Sequence, residues 1–276
     1  MGVRPKLRTY IQDTWKWREF TAVLASSRVE SENQNTYLGK IWSVLTPLIN
    51  SLVYVLIFGF LLGTRDGMDN VVGFIVVGTF MYGFFSSSVT AAAKSINQNA
   101  NLVRSLHFPR SVLPTSAVLA ELLTLVPATV VMVLISQISI ISTEGAGAMH
   151  PLRWVLVIPA IGMLYVFSVG VGMMLARFGA RVPDILKLLP FILRLGMYAS
   201  GVLFSIQHQL GPGVVRTIME YQPVAVFLDI GRQAMLAEDS IPIDPSKWGW
   251  GIFWAVVTLA VGFVVFWNDE ARYGRD

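Results

Sequence analysis

Long apolar runs alternate with short polar segments along this chain, and the alternation predicts a bundle of membrane-spanning helices. A helix rises about 1.5 Å per residue, so it needs about 20 apolar residues to cross about 30 Å of hydrocarbon. Six runs approach or exceed that length, and they lie at residues 45–62, 72–91, 111–140, 152–176, 188–206 and 248–267. We therefore predict an all-α integral membrane protein with six transmembrane helices. The third run is the longest, which predicts a span that tilts or continues into the cytoplasm.

The predicted organisation is one transmembrane domain over residues 1–276. Residues 1–41 are polar and basic, and they would form a cytoplasmic or interfacial N-terminal region. Residues 42–267 would form the six-span bundle, and residues 268–276 a cytoplasmic tail. Composition supports this interpretation, because only 14% of the residues are charged, whereas soluble domains usually carry about 25%. The sequence contains no cysteine, which excludes disulfide and thiolate chemistry.

Lysine and arginine are distributed unevenly between the polar segments, and their distribution predicts the orientation. With six spans both termini share one side, and 15 of the 21 basic residues fall there. The other side holds five, and Arg194 lies within a span. The positive-inside rule therefore places both termini in the cytoplasm of a multi-pass protein. This distribution explains the basic composition without a nucleic-acid partner.

One segment, residues 214–236, is half apolar but carries four charged residues. These are Arg216, Glu220, Asp229 and Arg232, and they make a membrane span costly. We predict helices that dip into the outer leaflet and are broken near Pro223. A seventh span is the alternative, and it would place the C-terminus outside.

No catalytic or metal-binding pattern is evident in the sequence. Gly39 and Lys40 are followed by Ile41 and lack the upstream glycine of a phosphate-binding loop. The three histidines are far apart, so we predict no metal site and no nucleophile-base pair. A chain of this kind that moves a solute against a gradient must take its energy from an ion or from a partner.

Two ionisable residues lie inside predicted spans, and such residues are often functional. Glu121 and Arg194 are each about 10–15 Å from the cytoplasmic boundary at the rise of a helix. Three roles remain open at this point: a structural pair or a snorkelling arginine, the lining of a polar conduit, and a proton relay. The halves of the chain show no convincing internal repeat, which a secondary carrier often has.

Aromatic residues of the N-terminal region predict a helix along the inner membrane surface. Trp15, Trp17 and Phe20 lie close together, and Trp42 stands at the start of the first span. Tryptophan favours the membrane-water interface, and basic residues favour the anionic inner leaflet. We therefore predict that these four side chains are interfacial anchors.

Several stretches in order along the chain resemble one transporter family. They are "TYLGKIWSVLTPLINSLVYVLIFGFLLG" at 36–63, "INQNANLVRSLHFPRSVLP" at 96–114, "ARVPDILKLLPFILRLGMYASGVLFS" at 180–205, "EYQPVAVFLDIGRQAML" at 220–236 and the tail "FWNDEARYGRD". They resemble ABC-2 type permeases, in particular the Wzm-like subunits of polysaccharide exporters of the O-antigen, teichoic acid or galactan type. The FPR…LP element is the most specific match.

The resemblance implies a homodimeric permease in the bacterial cytoplasmic membrane, with two copies of a separate cytosolic ATPase that bind ATP and Mg. It also implies that the loop between spans two and three is a coupling helix, with Asn101, Leu102, Val103, Arg104, Leu106 and His107 as candidate contacts to the ATPase. Leu102, Val103 and Leu106 can share an apolar helical face, and Pro109 would end the helix. A plain connecting loop is the alternative.

The resemblance further implies a long glycan on a polyprenyl-lipid anchor as the solute. Sugars present apolar faces and hydroxyls, so aromatic rings beside polar groups suit them. The candidates for the channel are Tyr54, Phe58, Glu121, Arg194, Tyr198 and Phe204, and packing or lipid contact is the alternative for each ring. Two other functions stay open, namely an integral-membrane enzyme acting on lipid-linked sugars and a proton-coupled carrier of lipid or solute.

Overall fold

The computed structural model describes residues 6–33, 39–63, 68–144, 151–236 and 241–270, and these parts of the chain are helical without β-strands. The helices are α1 (Leu7–Lys16), α2 (Arg18–Asn33), α3 (Trp42–Tyr54), α4 (Val71–Gln98), α5 (Ala100–Ser105), α6 (Val112–Glu144), α7 (Val157–Arg181), α8 (Ile185–Ala199), α9 (Ile206–Gln209), α10 (Val214–Tyr221), α11 (Pro223–Met235) and α12 (Pro245–Trp267). A π-helix, Val55–Leu61, continues α3, and 3-10 turns at Gly39–Ile41 and Pro151–Leu156 precede α3 and α7. Residues 271–276 of the predicted tail lie outside the described residues.

Five helical stretches are long and apolar enough to cross a membrane within the described parts of the chain. They correspond to the first, second, third, fourth and sixth predicted runs, and they are Trp42–Leu61, Val71–Gln98, Val112–Thr143, Arg153–Arg181 and Pro245–Trp267. The predicted run at 188–206 does not form one continuous helix. α8 has only 15 residues and is therefore about 22 Å long.

The reason for the short helix is a turn that follows α8 directly. Gly201 has a φ of 70°, a left-handed conformation that ends the helix. The apolar residues beyond it, Val202 and Leu203, are fully buried against other helices. Their hydrophobicity therefore reflects packing inside the protein. The length of an apolar run in the sequence does not distinguish residues that face lipid from residues that are buried against other helices.

Two sets of contacts mark opposite ends of the bundle. One end, which we call the clasp end, holds Tyr10, Arg110 and Glu270, whose side chains and backbone meet. The opposite end, the far end, is where Arg232 of α11 meets Phe74 at the start of α4. α8 begins beside Gly179 at the clasp end, and the turn after it reaches Arg232. α8 and the turn after it together thus extend from the clasp end to the far end.

α4 occupies the centre of the bundle. In its most apolar window 72% of residues are buried, compared with 17% in the stretch that begins at Trp42. It packs on α6 and α7, and the Tyr82 hydroxyl donates a hydrogen bond to the carbonyl of Leu193 in α8.

α7 and α12 cross with their backbones in contact. A Cβ on Gly262 would lie only 2.1 Å from the Gly170 carbonyl oxygen. Glycine at both positions is what allows this crossing.

The charged segment 214–236 forms two helices, and the break before Pro223 confirms the predicted position. Proline occupies the first turn of α11, where its missing N–H costs nothing. With eight and 13 residues, α10 and α11 are both too short for a seventh span. The charges are paired: Arg216 with Glu220 at 2.6 Å, and Asp229 with Lys247 at 3.1 Å.

Candidate transport cavity and coupling surface

A cavity of about 600 Å³ lies between α2, α3, α4, α6 and α8. Its lining combines charged residues with hydroxyl and amide groups, including Asn50, Ser86, Ser87 and Thr90. A volume of this size falls in the range of small-molecule sites. A second cavity of about 320 Å³ shares part of this lining and extends to Trp42. The bundle therefore contains a polar space bordered by spanning helices.

Three of the six candidate channel residues line the larger cavity. Tyr54, Glu121 and Arg194 come from three different helices and reach it together. Arg194 and Tyr54 are close enough to interact electrostatically. Glu121 and Arg194 form no ion pair with each other in the described structure. Their shared depth in the sequence thus corresponds to a shared cavity and not to a direct pair.

The other three candidates lie elsewhere. The Phe58 ring packs against Tyr54, with the centroids 6.5 Å apart. Tyr198 is 46% exposed on the bundle surface. Phe204 lines a separate cavity of about 140 Å³ at the far end, beside His208 and Arg232. A continuous row of aromatic residues through one conduit is therefore not present among these residues.

Arg232 holds the turn after α8, a role that the sequence did not indicate. Its Nη2 donates to the carbonyl oxygens of Gly201 at 2.8 Å and Val202 at 3.1 Å. The guanidinium also stacks over the Phe74 ring, 3.4 Å from the centroid. Backbone that leaves a helix inside a membrane needs such partners, because no water is present to satisfy it. Gly78 makes room for this contact, since a Cβ there would lie 2.7 Å from Nη2.

A buried cluster at the clasp end joins three separate parts of the chain, and we call it the clasp. The Tyr10 hydroxyl donates to Glu270 Oε2 at 2.7 Å and accepts the Ser111 backbone N–H at 3.1 Å. The Arg110 backbone N–H donates to Glu270 Oε1 at 3.0 Å, and its guanidinium lies 3.6 Å from the same carboxylate. Burial raises the pKa of Glu270, and Arg110 and Tyr10 oppose that rise.

The residue before Glu270 extends the clasp to α7. Asp269 is buried and accepts one hydrogen bond from Arg177 Nε and one from Arg181 Nη2, each at 2.6 Å. Bonds between two charged groups at this distance are among the stronger ones. The end of α12 is thus tied to the end of α7, to α1 and to the segment before α6. The sequence shows two adjacent acidic residues in "NDE" at 268–270. It does not show which arginines bind them, because those arginines lie far away along the chain.

The segment predicted as a coupling helix contains one short helix, α5, of six residues. Asn101, Arg104, Leu106 and His107 are exposed. Val103 is buried beside Phe108, Val112 and Leu113, with side chains of α2 packed on the same cluster. Val103 thus packs inside this chain, and Leu106 follows the last residue of α5, whereas contact of Leu102, Val103 and Leu106 with an ATPase stays a prediction.

Two of the four predicted interfacial anchors pack against the cluster around Val103 and Phe108. Trp17 and Phe20 stack on each other, with centroids 5.3 Å apart, and both pack against Phe108. Trp15 and Trp42 are 69% and 43% exposed. The N-terminal helices therefore contact the segment between α4 and α6 as well as presenting exposed tryptophans. Aromatic content alone cannot distinguish these two surroundings.

No group of three or more histidine, cysteine or carboxylate residues suited to a metal ion occurs in the part of the chain that the structure describes. The structure thus offers a polar cavity, a turn held by Arg232 and an end of α12 that is bonded to α7.

Comparison with known proteins gives the class that these features fit. The model of the ABC-2 type transporter family matches residues 22–236. This chain therefore belongs to that family, and it is a transmembrane permease subunit and not a catalytic one.

Individual relatives narrow the comparison further. The O-antigen export system permease protein RfbA of Klebsiella pneumoniae is 27% identical over 266 residues, which cover 93% of this chain and 94% of the relative. The RfbA of Myxococcus xanthus is 24% identical, covering 84% of this chain and 85% of the relative. The polysialic acid transport protein KpsM of Escherichia coli is also 24% identical, covering 84% and 86% respectively.

Proposed function

We propose that this chain is the permease of an ATP-driven exporter that moves a lipid-linked cell-envelope polysaccharide across the bacterial cytoplasmic membrane. The observation that carries the proposal is near full-length similarity to permeases named for O-antigen export and polysialic acid transport. The polar cavity between the spanning helices supports it, because hydroxyl and amide groups suit the hydroxyls of a sugar chain.

The proposed topology has six crossings with both termini in the cytoplasm. Support comes from the excess of basic residues on one side and from the two ends of the bundle, since Tyr10 and Glu270 meet at the clasp end. In this topology the clasp end is cytoplasmic, α1 and α2 lie along the inner surface, and α9 to α11 sit in the outer leaflet.

Cysteine labelling tests the topology, because the chain contains no cysteine of its own. A membrane-impermeant maleimide added to intact cells should label Gln209→Cys, which is exposed at the far end. It should label Asp276→Cys only after the membrane is permeabilised. Labelling of Asp276→Cys in intact cells would refute the six-crossing arrangement.

The proposed partners are a second copy of this chain and two copies of a cytosolic ATPase, which would bind ATP and Mg. The proposed contact surface consists of Asn101, Arg104, Leu106 and His107, all exposed at the clasp end. Val103 would act indirectly, by holding α5 against the N-terminal helices. The clasp then connects this surface to α12 and α7 through Arg110 and Glu270.

Depletion of this chain in its host tests the function. We expect lipid-linked glycan to accumulate in the cytoplasm and surface polysaccharide to fall, and the wild-type gene should reverse both. In vesicles containing the permease and its ATPase, glycan transfer should require ATP hydrolysis. Transfer driven by a proton gradient without ATP would support a proton-coupled carrier, and chemical change of the glycan by the chain alone would support an enzyme.

A further inference from the structure

The small cavity at the far end, which we call the far-end cavity, joins a buried interior to the protein surface. Its volume is about 140 Å³. Arg232, Gln233 and Lys247 belong to its lining and are buried, with 3–4% of their surface exposed. Gln207 and Pro242 belong to the same lining and are exposed. A cavity of about 150 Å³ admits one six-membered ring. The far-end cavity therefore has room for one such ring, which can enter from the surface.

The two bases of this lining are already bonded to other groups of the protein. Arg232 donates to the carbonyl oxygens of the turn after α8. Lys247 Nζ lies 3.1 Å from Asp229 Oδ2 and 3.2 Å from the backbone carbonyl oxygen of Glu220. An anionic ligand would have to compete with these partners for both bases. The far-end cavity is therefore poorly suited to a phosphate or a carboxylate ligand.

The carboxylates of the lining retain free acceptor capacity. Glu220, Asp229 and Asp244 line the cavity with the two bases, and three negative against two positive charges leave −1 in the lining itself. Asp244 accepts the Ser246 backbone N–H through Oδ1, and Glu220 binds Arg216 through Oε1. No hydrogen bond reaches Asp244 Oδ2 or Glu220 Oε2 within the described parts of the chain. These two oxygens suit a ligand that donates O–H or N–H groups.

Gln233 adds a buried donor whose orientation is fixed. Its Oε1 accepts the Asp244 backbone N–H at 3.1 Å and the Trp248 indole N–H at 3.0 Å. Two donors on the oxygen determine which way the amide faces, and they leave the NH₂ group for another partner. Nε2 donates no hydrogen bond to any residue that the structure describes. A buried donor without a partner is costly, so a ligand that accepts from Nε2 is favoured at this position.

A sugar ring matches this combination of groups. Each sugar hydroxyl both donates and accepts, so neighbouring hydroxyls can bind a carboxylate oxygen and the amide NH₂ group together. Phe204 supplies an aromatic ring to the same lining, and the apolar face of a sugar packs well on such rings. A lipid tail would leave the buried polar groups unsatisfied.

We propose that the far-end cavity binds one sugar ring that is uncharged or carries an amino group, with Glu220, Gln233 and Asp244 as its hydrogen-bonding partners. That this ring is a residue of the exported glycan rests on the proposed function; the sugar chemistry of the site does not. The site then favours a glycan whose residues are not acidic.

Protection of an introduced cysteine tests the proposal, because the chain has no cysteine of its own. Gln207→Cys places a thiol in the exposed part of the lining, and Gln209→Cys is the matched control, exposed two residues further on and outside the lining. The full-length chain is placed in nanodiscs, which leave both faces accessible whatever the topology. We expect glucose, galactose or mannose at millimolar concentrations to slow maleimide labelling of Gln207→Cys but not of Gln209→Cys.

Charged analogues of glucose test the electrostatics of the site. Glucosamine should protect Gln207→Cys at least as well as glucose, and glucuronate should protect it less, because the lining carries carboxylates and no free base. Asp244→Asn, introduced beside Gln207→Cys, keeps the oxygen that caps α12 but removes its charge. This variant should narrow the difference between glucosamine and glucuronate, which a merely damaged cavity would not do.

Gln233→Glu tests the buried donor. Glutamate keeps an oxygen for the Asp244 and Trp248 N–H groups but removes the NH₂ donor. Protection by glucose should require about three- to tenfold more sugar, as expected for the loss of one hydrogen bond. Protection by glucosamine should weaken less, because the added charge attracts its ammonium group. Equal weakening for both sugars would indicate damage to the cavity and count against the proposed role of Gln233.

Three results would overturn the proposal. They are no protection of Gln207→Cys by any of these sugars, equal protection of Gln209→Cys, and protection by glucuronate as strong as that by glucosamine. The first would leave the cavity as a crevice filled with water.

Disaccharides distinguish the source of the sugar ring. Protection by maltose or lactose as strong as that by glucose would support a residue within a glycan chain. Protection by monosaccharides alone would support the sugar site but assign it to a free sugar. Because binding is measured without transport, normal export after depletion of the chain would refute the proposed function and leave this result standing.

Discussion

Replacement of Arg232 by methionine should destabilise the protein, because this side chain holds the turn after α8. Methionine keeps much of the apolar stem but cannot donate to the carbonyl oxygens of Gly201 and Val202. Each buried carbonyl left without its partner costs about 1–3 kcal/mol. Loss of the stacking on Phe74 adds about 1–2 kcal/mol at a desolvated site. We therefore expect the free energy of unfolding to fall by about 3–8 kcal/mol.

Arg232 also lies 3.7 Å from the Asp229 carboxylate, and Lys247, which remains 3.1 Å from that carboxylate, limits the cost of losing this pair. Unfolding of the purified chain by dodecyl sulfate in mixed micelles, followed by tryptophan fluorescence and circular dichroism, gives the difference between variants. Arg232→Lys should lie between the wild type and Arg232→Met, because an ammonium can reach one carbonyl.

Arg216→Met is the matched control for this experiment. Arg216 also pairs with an acidic residue, but it lies on a short helix with part of its side chain exposed. Surface pairs of this spacing contribute about 0.3–0.5 kcal/mol. A change below about 1 kcal/mol in Arg232→Met, or one equal to that in Arg216→Met, would refute the bracing role of Arg232.

Further predictions concern the clasp, the coupling surface and a helix crossing. Burial raises the pKa of Glu270, so the folded chain holds the proton of this carboxyl group more tightly than the unfolded chain does. The stability of the protein should therefore fall as pH rises above the ordinary glutamate range. In thermal unfolding, Glu270→Gln should flatten this pH dependence. Leu106→Asp should leave the permease inserted but reduce both co-purification of the ATPase and export. Arg104→Ala should have a smaller effect on both, and that effect should depend more strongly on salt. Normal co-purification of the ATPase and normal export with Leu106→Asp would remove Leu106 from the coupling surface. Gly262→Val should prevent the close crossing of α7 and α12, because even its Cβ would lie 2.1 Å from a carbonyl oxygen of Gly170; expression of a fully stable Gly262→Val protein would contradict the described crossing.

The long apolar helices could be predicted from the sequence because span length is a local property. Five of the six runs correspond to helices long enough to cross. The run at 188–206 differs because its ending depends on Arg232, which lies 30 residues beyond Val202. Hydropathy records that Val202 and Leu203 avoid water, but not whether lipid or protein covers them.

In the candidate site, too, the sequence predicts what depends on one segment and does not predict what depends on packing between segments. Depth along a helix was enough to place Glu121 and Arg194 at one level, and both line one cavity. The aromatic candidates Phe58, Tyr198 and Phe204 do not share it, because helix rotation depends on packing that no single segment encodes. Trp17 and Phe20 are predicted as interfacial anchors, and the sequence does not show that Phe108 also lies against them.

The contact between Arg232 and the turn after α8 also sets an order for the biogenesis of this protein. The ribosome completes α8 and Gly201 well before it reaches the arginine, 31 residues later, that satisfies the Gly201 carbonyl. During that interval the nascent segment cannot rest in lipid with its carbonyls unsatisfied. We infer that α8 stays in the polar environment of the insertion machinery, or only partly inserted, until α11 emerges. The settling of α8 and its turn is therefore expected to depend on α11.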